Sequence, residues 1–235
     1  MSKSTWTGAV SSDWNDANNW SPAGIPGVNS DVVIATGAPA ALVSASIGTL
    51  NSITDSSDLS FESGGTNAVD TFLDNTGLLS VDYNAGESGT ILNIGQALTN
   101  SGDLIIGNRG LSASDEVTAA ALDNTGKIQL TGSRAHQALL DVSGSAGFGT
   151  AGVLTGNVNV FTDVGDAAIE FKSGQISTIA ASSVLNLNTN SAFIEDSTAL
   201  GSNSALTGLA KVDGSLDLEE NASVSTTGTL SLIHN

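Results

Sequence analysis

Cysteine is absent from this chain of 235 residues, and basic residues are scarce. Without cysteine the chain has no disulfide framework and no thiolate zinc site. Six Lys and Arg against 24 Asp and Glu give a formal net charge of −18. That charge argues against nucleic acid and against anionic membrane surfaces as partners, and favours divalent cations. No stretch approaches 18 apolar residues, so we predict no membrane insertion.

Aromatic residues (4%) and charged residues (13%) are also few, and this points to the fold class. The hydrophobic fraction of 40% and the mean hydropathy of +0.13 exclude a disordered acidic chain. Ser, Thr, Asn and Gly fill the polar positions, whereas the charged helix formers are rare. We therefore predict an all-β protein.

One nine-residue phrase occurs three times. It reads LDNTGLLSV at 73–81, LTNSGDLII at 98–106 and LDNTGKIQL at 122–130. Each copy has a turn sequence followed by apolar residues at alternate positions, which indicates a strand with one buried face. The turn positions that the copies share are Asn75, Asn100 and Asn124, followed by Gly77, Gly102 and Gly126.

A turn and strand that recur about every 24 residues are typical of a solenoid, in which stacked turns share one core. We predict a right-handed parallel β-solenoid of roughly eight turns over residues 35–235. The stacked asparagines would form a hydrogen-bonded ladder, and each following glycine would supply a corner with positive φ. An antiparallel β-sandwich is the alternative fold, although it does not explain a phrase at one fixed interval.

Residues 1–34 have a different composition, with all three tryptophans and two of the three prolines. A stack of parallel strands exposes a sheet edge that needs a cover. We predict that this segment is an N-terminal cap ending in a first strand near residues 31–34.

The cap and the repeats resemble a known class of proteins. The pattern Trp6-x-Gly8, Trp14, Ala17-x-Asn19-Trp20, Pro26, Asp31-x-Val33 is similar to the start of large bacterial secreted repeat adhesins and autotransporter passengers. The resemblance implies a β-helix fold and a role as a surface adhesin or its stalk. Because MSKSTWTGAVSSDW lacks an apolar signal segment, we expect export without an N-terminal signal peptide, to the cell surface or medium.

The cap holds the candidate ligand-binding residues. Asp13, Asn15, Asp16 and Asn18 crowd oxygen atoms that suit Ca²⁺, although the same residues commonly cap their own turns. We predict no other cofactor. Trp6, Trp14 and Trp20 could stack on sugar rings, or they could pack over the first turn of the stack.

Catalytic signals are weak. Arg134-Ala-His136 is the sole local base and cation pair, and an inert exposed loop is the simpler interpretation. We interpret His234 as inert and the glycine-rich run 144–149 as a flexible insertion. Acidic residues predicted to form a solvated face are Asp58, Glu62, Asp82, Asp103, Asp217, Glu219 and Glu220.

The sequence therefore predicts a non-catalytic structural or adhesive module of a secreted bacterial surface protein. Surface glycans of host or bacterium, or further copies of the chain, are the expected partners. The alternative is a carbohydrate-binding or carbohydrate-active β-helix protein. A carbohydrate-active site would need at least three converging acidic or basic groups, and no such set is visible in the sequence.

Overall fold

The computed structural model of the protein describes residues 2–162 and 165–232, and these residues are almost entirely strands and turns. Two short 3₁₀ turns occur, at Ala17–Asn19 and Ser204–Leu206. The strands are β1 Ser2–Trp6, β2 Trp20–Ser21, β3 Ser30–Ile34, β4 Ala41–Val43, β5 Ser52–Asp55, β6 Asp58–Phe61, β7 Thr66–Val69, β8 Phe72–Asn75, β9 Leu78–Val81, β10 Ile91–Asn100, β11 Asp103–Ile106, β12 Asp115–Asn124, β13 Lys127–Gly132, β14 Ala138–Ser145, β15 Val153–Leu154, β16 Asn157–Thr162, β17 Ala167–Ser173, β18 Thr178–Ile179, β19 Val184–Leu187, β20 Ala192–Asp196, β21 Lys211–Val212, β22 Ser215–Leu218 and β23 Ser231–Leu232. The prediction of an all-β protein is confirmed.

The strands form three sheets with long parallel pairings. The first sheet has eleven strands in the order β2-β1-β3-β5-β8-β10-β12-β14-β17-β20, with β7 also beside β10. The second has eight, in the order β22-β19-β16-β13-β11-β9-β6-β4, and the third has four, in the order β15-β18-β21-β23. Among the described strands only β1 and β2 pair antiparallel. The alternative of an antiparallel sandwich is therefore wrong.

From β3 to β14 the chain passes back and forth between the first two sheets, and from β15 onward it also visits the third. Each return to a sheet adds a strand beside an earlier one. In the first sheet Leu98 lies between Leu73 and Leu122. In the second sheet Leu104 lies between Leu79 and Ile128. The three copies of the repeated phrase are thus stacked in register, an arrangement that is compatible with a β-solenoid.

Apolar side chains at the alternate strand positions form one continuous core from Trp6 to Val212. The glycine-rich run 144–149 contributes to this core and is not the flexible insertion that we predicted. Its Phe148 is buried and meets Phe171 edge to face, with ring centroids 5.7 Å apart. The sequence pattern missed this because an aromatic residue between glycines gives no strand periodicity.

The glycines of the repeat serve close stacking, and the predicted positive φ is wrong. Gly77, Gly102 and Gly126 are absent from the glycines with positive φ. A Cβ atom on Gly102 would lie 2.0 Å from the carbonyl oxygen of Gly77, and one on Gly126 would lie 2.1 Å from the oxygen of Gly102. The turns approach each other so closely here that any side chain would clash with backbone.

The segment 1–34 joins the first sheet directly. Its strand β1 pairs parallel with β3, and β3 pairs parallel with β5. The indole N–H of Trp6 donates to the carbonyl oxygen of Pro39 at 2.8 Å, and the backbone N–H of Trp14 donates to the oxygen of Leu42 at 3.0 Å. The segment therefore packs against the residues that follow it through both core and backbone contacts.

Candidate functional site

The three asparagines of the repeat form a buried row of amide hydrogen bonds. Nδ2 of Asn75 donates to Oδ1 of Asn100 at 2.7 Å, and Nδ2 of Asn100 donates to Oδ1 of Asn124 at 2.7 Å. The same nitrogens also donate to the carbonyl oxygens of Asp103 and Lys127, both at 2.9 Å. This row satisfies amides inside the stack and leaves no donor for a ligand, so its role is structural.

On the strand that precedes Asn75 in the sheet, the corresponding position is occupied by an acid and not by an amide. Asp55 lies in register with Asn75, and its Oδ1 accepts the backbone N–H of Ser57 at 3.1 Å. Its other oxygen is buried and has no partner within the described part of the chain. Burial raises the pKa of Asp55 to about 6.

The residues predicted to hold Ca²⁺ lie in the turns of the cap. Oδ1 of Asp13 accepts the backbone N–H of Asn15, and Oδ1 of Asp16 accepts the backbone N–H and the side-chain amide of Asn18. These carboxylates thus cap their own turns. Within residues 2–162 and 165–232, no three His, Cys, Asp or Glu side chains converge as a metal-binding group. Ca²⁺ in the cap stays a prediction.

The three tryptophans are buried against one another. Trp6, Trp14 and Trp20 are 2%, 0% and 3% exposed. Trp20 meets both other rings edge to face, with centroids 4.9 and 4.6 Å away. No ring face remains for a sugar, so the predicted glycan contact in the cap is wrong, and the packing interpretation describes these residues.

The candidate catalytic pair lies in the turn between β13 and β14. Arg134 is exposed and His136 is half-buried. The turn is closed by the backbone N–H of Ser133, which donates to the oxygen of His136 at 3.0 Å. His234 lies outside the described residues.

Among the residues that the structure describes, no helix is long and apolar enough to cross a membrane.

A groove on the outward face of the second sheet brings aromatic and polar side chains together. It has a volume of about 350 Å³ and contains Tyr83, Phe161 and Arg109 beside Gln129 and Thr131. Tyr83 is 48% exposed, in contrast to the buried tryptophans. Aromatic rings beside hydrogen-bonding side chains can hold the apolar face and the hydroxyl groups of a sugar.

The groove continues on the other side of Tyr83. A second cavity of about 350 Å³ is lined by Tyr83 together with Leu42, Ser60, Ser80 and Asn84. Leu42, Ser60 and Ser80 are successive outward positions of the second sheet. Tyr83 therefore stands in the middle of a trough that crosses several strands.

The loop that carries Tyr83 is fixed by one amide. Nδ2 of Asn108 donates to the carbonyl oxygens of Asp82, Asn84 and Glu87, at 2.7, 3.0 and 3.1 Å. Oδ1 of Asn108 accepts the backbone N–H of Gly110 at 2.7 Å. The loop 82–90 is thus tied to the corresponding loop of the next turn, which also carries Arg109.

Two acids lie buried beneath this loop. Asp82 and Asp115 are both 0% exposed. We expected Asp82 on the solvated face, and this is wrong, because its backbone adopts a φ of 46° at the strand end and turns the carboxyl group inward. Asp82 follows the end of β9, where no periodic signal marks a buried side chain, and Asp115 is a polar residue at the start of β12, so sequence reasoning missed both acids.

Other acids form an outward column on the first sheet. Glu170 lies in register between Asp141 and Glu195 on neighbouring parallel strands. Burial, followed by the charges of Asp141, Glu116 and Asp196, raises the pKa of Glu170. Like charges on adjacent strands disfavour the stack, and cations or protons relieve that repulsion.

Apolar side chains are exposed at the described end of the stack. A cavity of about 500 Å³ is lined by Leu216, Leu218, Leu230 and Leu232 with Val212. Leu218 and Leu232 are among the exposed large apolar residues. This surface is where a further strand or a second copy could pack, and self-association stays a prediction.

Comparison with known proteins adds one match. Residues 5–115 match a family described as a domain of unknown function (DUF8693), which is slightly less than half of the chain. The matched segment covers the tryptophan cluster, the first two copies of the repeat and the loop that carries Tyr83. No curated protein and no solved structure matches the chain.

Proposed function

We propose that this chain is a non-catalytic structural and adhesive module of a secreted bacterial surface protein, such as the stalk or N-terminal part of a large adhesin. In this proposal the three sheets are the faces of a right-handed parallel β-solenoid, and residues 1–34 cap one end. The resemblance of the cap to secreted repeat adhesins supports the assignment.

The observation that carries the proposal is the continuous core with in-register parallel strands. Strands about 4.8 Å apart give the second sheet a length of roughly 34 Å, which is rigid because each strand bonds to two neighbours. The buried asparagine row holds successive turns at one spacing. Such a body suits a spacer that projects another part of a surface protein.

The acidic surface supports the same role. A net charge of −18 keeps neighbouring copies apart and soluble in a crowded surface layer. The candidate pair Arg134 and His136 lies in a simple turn, so we assign no catalysis to it.

Localisation and lack of catalysis can be tested together. Antibodies raised against the chain should label intact cells of the producing bacterium, and the purified chain should release no reducing sugar from polysaccharides. Labelling only after permeabilisation would refute a surface role. Sugar release that survives purification from a host lacking glycosidases would refute the non-catalytic assignment.

Carbohydrate binding is the second candidate, and the trough around Tyr83 favours it. The test is retention of the chain in gels that contain neutral polysaccharides and on a glycan array. Tyr83→Ala should abolish any retention. Phe72→Ala is the matched control, because Phe72 is similarly exposed (42%) but lies on the first sheet. Equal loss in both variants, or none in Tyr83→Ala, would reject the trough as the binding site.

A further inference from the structure

The buried acids beneath the loop 82–90 face each other. Oδ2 of Asp82 accepts the backbone N–H of Thr90 at 2.8 Å, and Oδ1 of Asp115 accepts the backbone N–H of Gly89 at 2.7 Å. No N–H or O–H group of the described residues reaches the remaining oxygens, Oδ1 of Asp82 and Oδ2 of Asp115. The two carboxyl groups accept from consecutive backbone N–H groups, those of Gly89 and Thr90, and therefore lie side by side.

A hydrogen bond between two carboxyl groups requires a proton on one of them. Two ionised carboxylates in contact inside the protein would repel each other, and each would lack a donor for one oxygen. A single proton removes one charge and supplies that donor. Burial, followed by the neighbouring carboxyl group of Asp82, raises the pKa of Asp115 to about 8.

The position of Asp115 in its strand explains the burial. Asp115 opens β12 and points inward, as do Val117 and Ala119. On the next strand its register partner is the buried Ala138, whose own partner is the buried Ala167. An ionisable group therefore occupies a place in the stack that later turns give to alanine.

We propose that Asp82 and Asp115 share one proton at neutral pH, and that this proton latches the loop 82–90 onto the strand stack. The loop has two attachments of different chemistry. The amide of Asn108 holds the start and middle of the loop and does not titrate. The carboxyl pair holds the end of the loop, through the N–H groups of Gly89 and Thr90.

Loss of the shared proton should release the end of the loop. The pKa of Asp115 in the folded chain is raised, so the stabilisation is complete at low pH and is lost as the pH rises through about 8. Tyr83 lies on the same loop, so alkaline pH should also disturb the trough on the second sheet. The latch itself does not depend on the function proposed above.

Other titratable groups surround the pair and must be separated from it. Burial, followed by the neighbouring carboxyl group of Glu62, raises the pKa of Glu87 to about 7. The charged or titratable side chains on the surrounding loops are Glu62, Tyr83, Glu87, Arg109, Arg134 and His136.

The test is amide hydrogen exchange of Gly89 and Thr90 in the full chain between pH 6 and pH 9, corrected for the intrinsic pH dependence of exchange. We expect the protection of both amides to fall at least tenfold across this range. In Asp115→Asn the fall should disappear, because the new amide can donate to Asp82 at every pH while its oxygen still accepts from Gly89.

Three variants control for other causes. Glu116→Gln changes an acid on the opposite face of the same strand and should keep the wild-type pH dependence. Glu87→Gln and His136→Gln each remove one neighbouring titratable group, and the fall should persist in both. A fall that disappears in Glu87→Gln but remains in Asp115→Asn would overturn the proposal.

Two further results would also overturn it. One is carboxyl ¹³C titration showing that both Asp82 and Asp115 ionise below pH 5. The other is an effect of 1 mM Ca²⁺ at pH 9 that restores amide protection in the wild type and not in Asp115→Asn. That result would mean that the carboxyl pair binds a cation. The latch is supported if Ca²⁺ restores protection in neither protein and the carboxyl ¹³C titration shows a step near pH 8.

Discussion

Nδ2 of Asn75 lies 2.7 Å from Oδ1 of Asn100, although 25 residues separate the two along the chain. Asn100 repeats the same bond with Asn124, 24 residues further on. Asn100 therefore uses its oxygen toward Asn75 and its nitrogen toward Asn124. This directional row can form only if successive turns keep the same register, so it reports on the stacking of the whole centre of the molecule.

Removing the middle amide should be costly. Asn100→Ala deprives Asn75 of an acceptor and leaves Oδ1 of Asn124 without its donor, both inside the core. We expect the free energy of unfolding to fall by about 2–4 kcal/mol. Urea unfolding followed by far-UV circular dichroism measures the change.

Asn93→Ala is the control for this variant. Asn93 lies on the same strand but faces outward, where it accepts one hydrogen bond from Thr118. We expect a change of about 0.5 kcal/mol or less. Equal losses for the two variants would show that the row contributes nothing beyond a surface asparagine.

Asp55→Asn should stabilise the chain at neutral pH. The pKa of Asp55 is raised from 3.8 to about 6, so the folded state favours the protonated acid and loses stability as the pH rises through 6. An asparagine carries no charge there and extends the amide row by one position. We expect a gain of about 2–3 kcal/mol at pH 7.5 and little gain at pH 4.

The measurement for Asp55→Asn is thermal unfolding at both pH values. Asp103→Asn serves as a control, since Asp103 is an exposed acid and should show no such pH-dependent gain. A gain of the same size at pH 4 and pH 7.5 would mean that ionisation of Asp55 is not the cause.

The glycine in the repeated phrase can be tested by adding one methyl group. In Gly102→Ala the new Cβ would lie 2.0 Å from the carbonyl oxygen of Gly77, so the two turns must separate. We expect a loss of about 3 kcal/mol or more. Gly27→Ala is the control, because a Cβ there meets no atom within 4 Å. Unchanged unfolding of Gly102→Ala would contradict close stacking at this corner.

The acidic column on the first sheet should respond to charge removal and to salt. Glu170 lies between Asp141 and Glu195, so Glu170→Gln relieves repulsion on both sides. We expect a gain of about 0.5–1 kcal/mol at pH 8 in low salt, and a smaller gain in 0.5 M NaCl. Thermal unfolding at the two salt concentrations measures it. A gain that salt leaves unchanged would point to packing instead of charge.

Periodic features of the fold could be predicted from the sequence. Alternating apolar residues after each Asn-x-Gly turn indicated the strands Leu78–Val81, Asp103–Ile106 and Lys127–Gly132, and the fixed interval indicated parallel stacking. These inferences succeeded because a strand that buries one face leaves a period of two in the sequence, whatever its neighbours are.

Features that depend on contacts between distant residues could not be predicted. The tryptophan spacing gave no sign that the rings pack on each other, and Asp82 looked like any other polar loop residue. Its burial depends on Asp115 and Asn108, which come from the next turn of the chain. The role of Gly102 likewise depends on how near the previous turn lies, which no local pattern encodes.

The proposed fold requires that the turns stack into one rigid body with constant spacing, and distances between spin labels measure that spacing. The chain has no cysteine, so labels attach only at engineered sites. Ser60, Asn159, Asn186 and Asp217 lie in one outward column of the second sheet.

Labels at Ser60 and at each of the other three sites should give distances of about 19, 24 and 29 Å, with equal steps of one strand spacing. Narrow distributions with these equal steps are the expected result. Distances that do not lengthen along the column, or that are broadly distributed, would contradict the stacked rod and with it the proposed role as a spacer.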